Sequence, residues 1–487
     1  MTRIVINGRE IDADPKKPLI AACHEHASQV PMYCYHPGLS PVGSCRICQV
    51  EVKQGEQPAR VVVACRTPIA EGMVVNTEAP KAHEARRQCL EFLLKNHPLD
   101  CPICDKAGEC DLQDYAFQEG QGEGRSVEPR RKLEKRKSLG DVIMLDEERC
   151  ILCSRCVRFF EEVTEKPQLT VAGLGSRSVI ATFADRPLEG NYQGNVADIC
   201  PVGALTLKEF RFQARVWNLQ KTPSTCGECS RGCSITVEVL RKRDVKRLRP
   251  RHNPAVNQWW MCDHGRFSFE RFNRPGRLAG AMARGAVGLE ELAPEDALEA
   301  VADQVRVHGA PLVLASPWLT LEEGERLLRV AQRFSVRPSV LVPGPSPLKD
   351  DFLHTGDPGP NRRGLEELGF APLPVAGAAT ELAGRASAWL VGERSVEVVG
   401  FEALAQLSAA LRLVVFDTHQ LDVPAACLEI GVPDAVERTG TWVNVDGVRG
   451  ELRIARSAPS GVAPLTRRLD DLERRLAHPA PAPEVAR

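Results

Sequence analysis

The sequence has no run of ~18 consecutive apolar residues, the length a helix needs to cross a membrane. Its opening MTRIVINGREIDAD reads as a strand and a turn and lacks the apolar stretch of a secretory signal. A cytoplasmic protein is the expectation. Charge of one sign is lacking too: 63 basic residues nearly cancel 64 acidic ones, which argues against a chain-wide field for nucleic acid or a membrane surface. Two local basic runs, Arg125 to Lys137 and Arg241 to Arg251, are expected to be solvated surface or a partner-facing rim. No G-x-G-x-x-G lies between a strand and a helix, and AGLGSRS around Gly173 and Gly175 is too short to count as a dinucleotide loop. Cysteine all but vanishes beyond residue 262, where only Cys427 is found.

What is there is the converse: seventeen of eighteen cysteines lie in the first 262 residues. In a reducing compartment disulfides do not persist, so these should be mostly metal ligands. A chain of 487 residues should hold several domains. Here the halves are unlike, one handling metal and one of ordinary globular composition.

The densest stretch is HPLDCPICDKAGEC, which places His97, Cys101, Cys104 and Cys110 within fourteen residues. One histidine and three cysteines suit tetrahedral zinc and also an iron-sulfur cluster, and this window alone leaves both open. Before it, β-rich runs (RIVI, GREI, QVEV, RVVVAC) and a short helix near Leu19 to His26 suggest a small mixed fold over residues 1–78. That segment carries Cys34, Cys45 and Cys48 in a loop and Cys65 at the end of a strand. Three loop ligands plus one distant ligand is how a [2Fe-2S] cluster is gripped, although C-x10-C-x2-C has a longer first gap than the plant-type spacing. Ala79 to Asn96 reads as a helix delivering the chain to His97, with Cys89 inside it as a small core residue.

A polar, basic passage, GQGEGRSVEPRRKLEKRK, is expected to be an exposed connection. Then Cys150, Cys153 and Cys156 follow at C-x2-C-x2-C, leading into a helix. The fourth position of the bacterial two-cluster run is Phe160, so the missing ligand is best supplied by Cys200 in ICPVGAL, giving one all-cysteine [4Fe-4S] cluster. Cys226, Cys229 and Cys233, with Cys262 beyond two expected strands, form a fourth group. Taken alone it would suit a zinc ribbon equally; beside the others it reads as [4Fe-4S]. Cys23, Cys89 and Cys427 are left over as core residues.

In this order the groups resemble the 75-kDa-type iron-sulfur subunit of NADH-quinone oxidoreductases, the respiratory complex I, over residues 1 to about 272. The resemblance is carried by Cys34, Cys45, Cys48 and Cys65, by NHPLDCPICDKAGECDLQD, by RCILCSRCVRF with the distant ICPVGAL, and by Cys226 to Cys262. It implies a β-grasp [2Fe-2S] ferredoxin-like domain (1–78), a histidine-ligated [4Fe-4S] domain (79–138), a ferredoxin-like all-cysteine [4Fe-4S] domain (139–216) and a molybdopterin-oxidoreductase-type [4Fe-4S] domain (217–272). It further implies a flavin- and NADH-binding partner, a ferredoxin-like [4Fe-4S] partner and other peripheral-arm subunits, with indirect attachment to the cytoplasmic side of the cell membrane. Electrons would pass from flavin to the [2Fe-2S] cluster, the Cys150 to Cys200 cluster, the His97 cluster, and on towards quinone.

From Asn273 the alternation EDALEAVADQVRVHG, PLVLAS, LEEGERLLRVAQRF, PSVLVP, SAWLVG and LRLVVFD predicts an α/β domain with a mainly parallel sheet over 273–478. HTGDPGPNRRGLEELGF and ERTGTWVNVDGVRG resemble molybdopterin-family segments. The domain is short for that family and offers no cysteine for molybdenum, so it is expected to be a scaffold without molybdopterin. Leu465, Leu469, Leu472 and Leu476 stripe a closing helix, and 479–487 is expected to be a flexible tail. Rival classes are the electron-relay part of an NAD-linked formate dehydrogenase or bidirectional hydrogenase, a catalytic iron hydrogenase, which needs further cysteines downstream, and a zinc-stapled scaffold. Cys89→Ala and Cys427→Ala should each retain full iron content; loss of a whole cluster in either would overturn the ligand assignment.

Overall fold

The computed structural model describes residues 1–285, 288–408, 410–420 and 425–477, so the expected tail at 479–487 lies outside the described residues. The chain divides into two compact units, one of residues 1–218 and one from Leu219 onward.

The first unit begins with a five-stranded mixed sheet. Its order is Arg9–Ala13, Thr2–Ile6, Met73–Asn76, Gln49–Gln54, Arg60–Val63. Alternation drives this register: Ile4 and Ile6 on one strand and Val50 and Val52 on another turn inward onto the helix Leu19–Glu25, where Leu19, Ile20 and Cys23 are buried. The strand Met73–Asn76 is not legible in the sequence, because MVVN follows directly on the turn at Gly72. It runs parallel to Thr2–Ile6 and antiparallel to Gln49–Gln54, closing the β-grasp sheet.

Next comes the helix Pro80–Asn96, begun by a proline at its first position, where the missing N–H costs nothing. Arg86, 1% exposed, ties it down. Its Nε donates to Gln49 O at 2.9 Å, and its two terminal nitrogens donate to Glu119 at 2.7 Å and to Thr77 O at 2.7 Å. Further on, a small sheet of Leu205–Leu207, Ile143–Leu145 and Lys137–Ser138 brings the segment after Cys200 beside the segment before Cys150. A short helix, Arg155–Arg158, continues as a π-helical turn over Phe159–Val163.

The second unit opens with the antiparallel strands Leu219–Thr225, Ser234–Leu240 and Asp244–Pro250. Here the basic run Arg241 to Arg251 departs from expectation. It is not all solvated surface: Arg247 is buried and paired with Glu238 on the neighbouring strand, because alternation in a strand turns every second side chain inward. The α/β part holds an eight-stranded sheet. Its six strands from Ala426–Gly431 through Arg412–Asp417, Ser387–Val391, Leu312–Ala315, Ser339–Val342 to Ala371–Pro374 are parallel, and an antiparallel pair, Ala281–Arg284 and Leu289–Leu292, forms one edge. The central strands are near-continuous apolar runs because helices cover both faces. Thr320 and Glu323 close a capping box at the start of the helix Leu321–Gln332. The last described helix, Leu465–Ala477, buries Leu465, Leu469 and Leu472 against the core, and Leu476 packs at its margin. Among the described residues no helix is long and apolar enough to cross a membrane.

Arg86→Ala leaves Glu119 with His83 alone and strands two backbone carbonyls inside the first unit. It should cost about 3 kcal/mol or more, read as a lower urea midpoint with an unchanged slope; an unshifted midpoint would contradict this role.

Candidate functional site

The first group is a hydrogen-bonded set of thiols. Cys34 is bonded to Cys45 and Cys65, and Cys48 to Cys65; these bonds hold Cys34 and Cys48 below the ordinary thiol range and push their partners above it. Cys65 sits in a 3-10 turn, Ala64–Arg66, just beyond the strand expected to carry it. The loop turns at Arg46, whose φ of +58° is left-handed, and Cys34 N donates to Cys45 Sγ at 3.4 Å.

The second group lies at the C-terminal end of the helix Pro80–Asn96. His97 is that helix's C-cap; burial, then the charge of Arg149, push its pKa down to about 4, so the imidazole is neutral at pH 7 and can serve as a ligand. Cys104 and Cys110 are buried, whereas Cys101 is exposed beside exposed Leu99 and Ile103. Burial pushes Cys110 up to about 11, with the neighbouring Cys104 adding to the rise; Cys104 is likewise raised by burial, against Arg149. Arg149 donates to Asp100 at 2.9 and 3.2 Å, fixing the loop that carries Cys101.

The third group lines a shared cavity. Cys150, Cys153, Cys156 and Cys200 line one cavity together with Leu145, Ile180, Val202, Leu205 and Arg155. Two left-handed residues, Leu152 at φ +52° and Ser154 at +58°, bend the loop, and Leu152 N donates to Cys150 Sγ at 3.4 Å. Burial raises Cys150 to about 12 and Cys153 to about 11, and lifts Cys156 well above the ordinary value. The second and third groups are joined directly: Asp111 N donates to Pro201 O at 3.1 Å, linking the residue after Cys110 to the residue after Cys200. Gly203 passes so close to Cys104 that a Cβ there would stand 2.3 Å from its Sγ.

The fourth group belongs to the second unit. Cys226, Cys229, Cys233 and Cys262 are all buried, with Cys226 N donating to Cys233 O at 2.8 Å and Gly265 N to Cys262 Sγ at 3.3 Å. A Cβ on Gly265 would meet Cys226 Sγ at 3.0 Å and Cys262 Sγ at 3.4 Å, so a larger residue there would crowd these thiols. Burial pushes Cys262 up to about 12, and the neighbouring thiols contribute. The two segments singled out in the second half of the sequence pack here, Ser230 bonding to Thr355 and Asp357 and Asn444 Nδ2 donating to Arg231 O at 3.1 Å; from outside them, Trp318 Nε1 donates to Gly227 O at 2.8 Å. Glu228, buried in the loop, would be raised by burial alone, but Arg271, Arg394 and His264 hold it below the usual carboxylate range. Arg271 lies 2.9 Å from it.

The structure thus gathers the four residues of the first, third and fourth groups; of the second, His97 and Cys104 share the charge of Arg149, and Cys101 and Cys110 lie near Cys104. Among the described residues no three histidine, cysteine or acidic side chains are arranged as a single-ion site. Chemically the donor sets fit iron-sulfur clusters: thiols in enclosed surroundings, amide N–H groups on sulfur, and in the third group a buried Arg155 Nε with no protein acceptor. Cys89 corrects the expectation of a core residue. It is half-buried at the rim of the first group's loop, where its thiol donates to Arg46 O at 3.4 Å and accepts from Gln49, because helical periodicity alone does not tell which flank faces a loop. Cys427 is half-buried at the core's margin, bonded to Gln304 and Leu413 O. Sequence reasoning missed the arginines, Arg149, Arg155 and Arg158, although their place beside the cysteines of RCILCSRCVRF was a signal: charged residues inside a run that must be buried to enclose a ligand.

Comparison with known proteins agrees. Residues 1–80 match the 2Fe-2S iron-sulfur cluster binding domain, 86–125 the NADH-ubiquinone oxidoreductase-G iron-sulfur binding region, 140–206 the ferredoxin-like domain of NADH-quinone oxidoreductase subunit 3, and 219–274 the molybdopterin oxidoreductase Fe4S4 domain. The G subunit of NADH-quinone oxidoreductase from Streptomyces coelicolor is 37% identical over 66% of this chain and 38% of its own length. Its counterpart from Rickettsia bellii is 36% identical over 63% of this chain and 44% of its own. The mitochondrial 78 kDa subunit of NADH-ubiquinone oxidoreductase from Neurospora crassa is 42% identical over 54% of this chain and 35% of its own. A chain of the NAD+-reducing [NiFe]-hydrogenase in the H2-reduced state is 28% identical, covering 44% of this chain and 91% of that one, with a TM-score of 0.40. The chain spans less than half the length of these curated relatives. The chain thus carries 2Fe-2S and 4Fe-4S binding domains and, over the part that matches, is similar to the G subunits of NADH-quinone oxidoreductase.

Proposed function

We propose that this chain is the iron-sulfur electron-transfer subunit of an NADH-quinone oxidoreductase, relaying electrons one at a time from a flavin-bearing partner towards quinone. The observation that supports this best is the packing of three cysteine groups into one unit, with the ligand-bearing segments of neighbouring groups hydrogen-bonded to one another. The ligand sets are Cys34, Cys45, Cys48 and Cys65 for one [2Fe-2S] cluster, then His97, Cys101, Cys104 and Cys110, Cys150, Cys153, Cys156 and Cys200, and Cys226, Cys229, Cys233 and Cys262 for three [4Fe-4S] clusters. When bound, such clusters accept and release single electrons without bond making in a substrate.

The chain's own residues do the rest. Burial of the thiols excludes water and keeps the surroundings from reorganising, and amide donors such as Leu152 N and Gly265 N favour negative charge on sulfur. Cys101, exposed beside Leu99 and Ile103, puts the His97 group at a surface where a ferredoxin-like partner would receive electrons. Such a protein would sit with the peripheral-arm subunits on the cytoplasmic side of the cell membrane, attached through its partners. The second unit is a scaffold that covers the fourth group, with no molybdopterin expected.

Anaerobically prepared protein should carry about fourteen irons per chain with matching acid-labile sulfide, and give one [2Fe-2S] and three [4Fe-4S] signals in low-temperature EPR during stepwise reduction. About ten irons would remove the fourth cluster, and zinc without sulfide would remove the reading altogether. His97→Cys should keep its cluster at a lower potential, since a thiolate adds negative charge, whereas His97→Ala should lose it or leave it labile. Unchanged signals in both variants would make His97 structural.

A further inference from the structure

Two buried arginines stand where the first and third groups meet. Arg158 is 5% exposed; one terminal nitrogen donates both to Cys34 O and, at 3.4 Å, to Cys153 O, the second donates to Ser40 O, and Nε donates to Ser154 Oγ at 3.3 Å. Arg155, 4% exposed, donates to Tyr35 O at 2.6 Å and to Ile199 O at 2.9 Å. Tyr35 follows Cys34 and Ile199 precedes Cys200, so each guanidinium spans from the loop of one group to a ligand segment of the next.

Charge makes this arrangement informative. Among the described residues neither arginine is within ion-pair distance of a carboxylate, although Asp111 lies near enough for the charge of Arg155 to act on it; their hydrogen-bond partners are carbonyls and one hydroxyl. Arg155 Nε has no protein acceptor. A guanidinium does not deprotonate in a protein, and leaving one buried without a counter-charge costs several kcal/mol. The groups on either side are sets of four cysteines, which become anionic when they ligate iron.

We propose that Arg155 and Arg158 are positioning residues that clamp the first group against the third and supply the shared counter-charge of the two clusters held there. This rests on the cluster assignment proposed above. Carbonyl bonds made simultaneously to both loops fix the gap between the two centres. Positive charge in that gap favours the reduced, more negative form of each, and the interior does not screen it as water would.

The test uses the full-length protein, prepared anaerobically, with iron and sulfide content and EPR-monitored redox titration as readouts. Arg158→Gln should keep its iron while the midpoint potentials of the [2Fe-2S] cluster and the Cys150 to Cys200 cluster both fall. The other two clusters should be unmoved, and Arg158→Lys should bring both midpoints back towards wild type. Unchanged midpoints in Arg158→Gln, or one equal shift in all four clusters, would overturn the proposal. Should Arg158→Gln not retain iron, Arg158→Lys decides alone. It keeps the charge but cannot reach three carbonyls at once, so the magnetic interaction between the two reduced clusters should weaken at full iron content; an unweakened interaction would overturn the clamp. Absence of sulfide from the wild-type protein would instead defeat the cluster assignment, and the clamp with it, before any variant is compared.

Discussion

A thiol buried in protein resists ionisation, and a guanidinium buried near it cannot shed its charge. The first unit places both in one interior. Burial holds Cys150, Cys153 and Cys156 in their neutral form at pH 7, while Arg155 and Arg158 stay cationic beside them without carboxylate partners in ion-pair contact. Taken as protein alone, that is an unfavourable arrangement. It becomes favourable when the thiols deprotonate onto a metal centre, because each thiolate then supplies the negative charge that the arginines lack. Cluster binding and folding are thereby linked, and the same charges that stabilise the interior set how readily each centre accepts an electron.

The connections between groups follow from this constraint. Ligands come from loops, and loops alone would leave the spacing between centres loose. Asp111 N on Pro201 O, Arg158 on Cys34 O and Cys153 O, and Arg149 on Asp100 tie those loops together across long sequence separations. The second unit meets the same demand differently. Its fourth group is closed by groups drawn from distant parts of the α/β domain, with the side chains of Trp318, Thr355 and Asn444 and the backbone carbonyl of Asp357 all reaching the Cys226 to Cys233 loop. The α/β domain thus provides walls for the fourth group.

Much of this was legible in the sequence, for a physical reason: ligand chemistry is local. C-x2-C-x2-C and HPLDCPIC place several donors on one loop, and alternating apolar runs with amphipathic segments make a parallel sheet readable. That Cys200 joins the cavity of the third group was reachable because Cys-Pro ends related runs. Contacts between loops were not legible. Nothing in one dimension places Gly203 against Cys104, or distinguishes a basic run on the surface from one that includes the buried Arg247. Cys89 escapes a sequence reading for the same reason, and the strand Met73–Asn76 follows its turn too directly to be separated from it.

The most direct test of the linkage between buried charge and bound metal is calorimetric unfolding of the full chain, compared between anaerobically iron-loaded protein and the same protein stripped of metal by a chelator. The account predicts that the iron-free protein loses a large part of its stability, with the transition of the first unit moved far down in temperature or abolished, and that it recovers on reloading with iron and sulfide. An iron-free protein that unfolds at the same temperature and with the same enthalpy as the loaded one would contradict it, since the buried arginines and thiols would then be stable without the clusters.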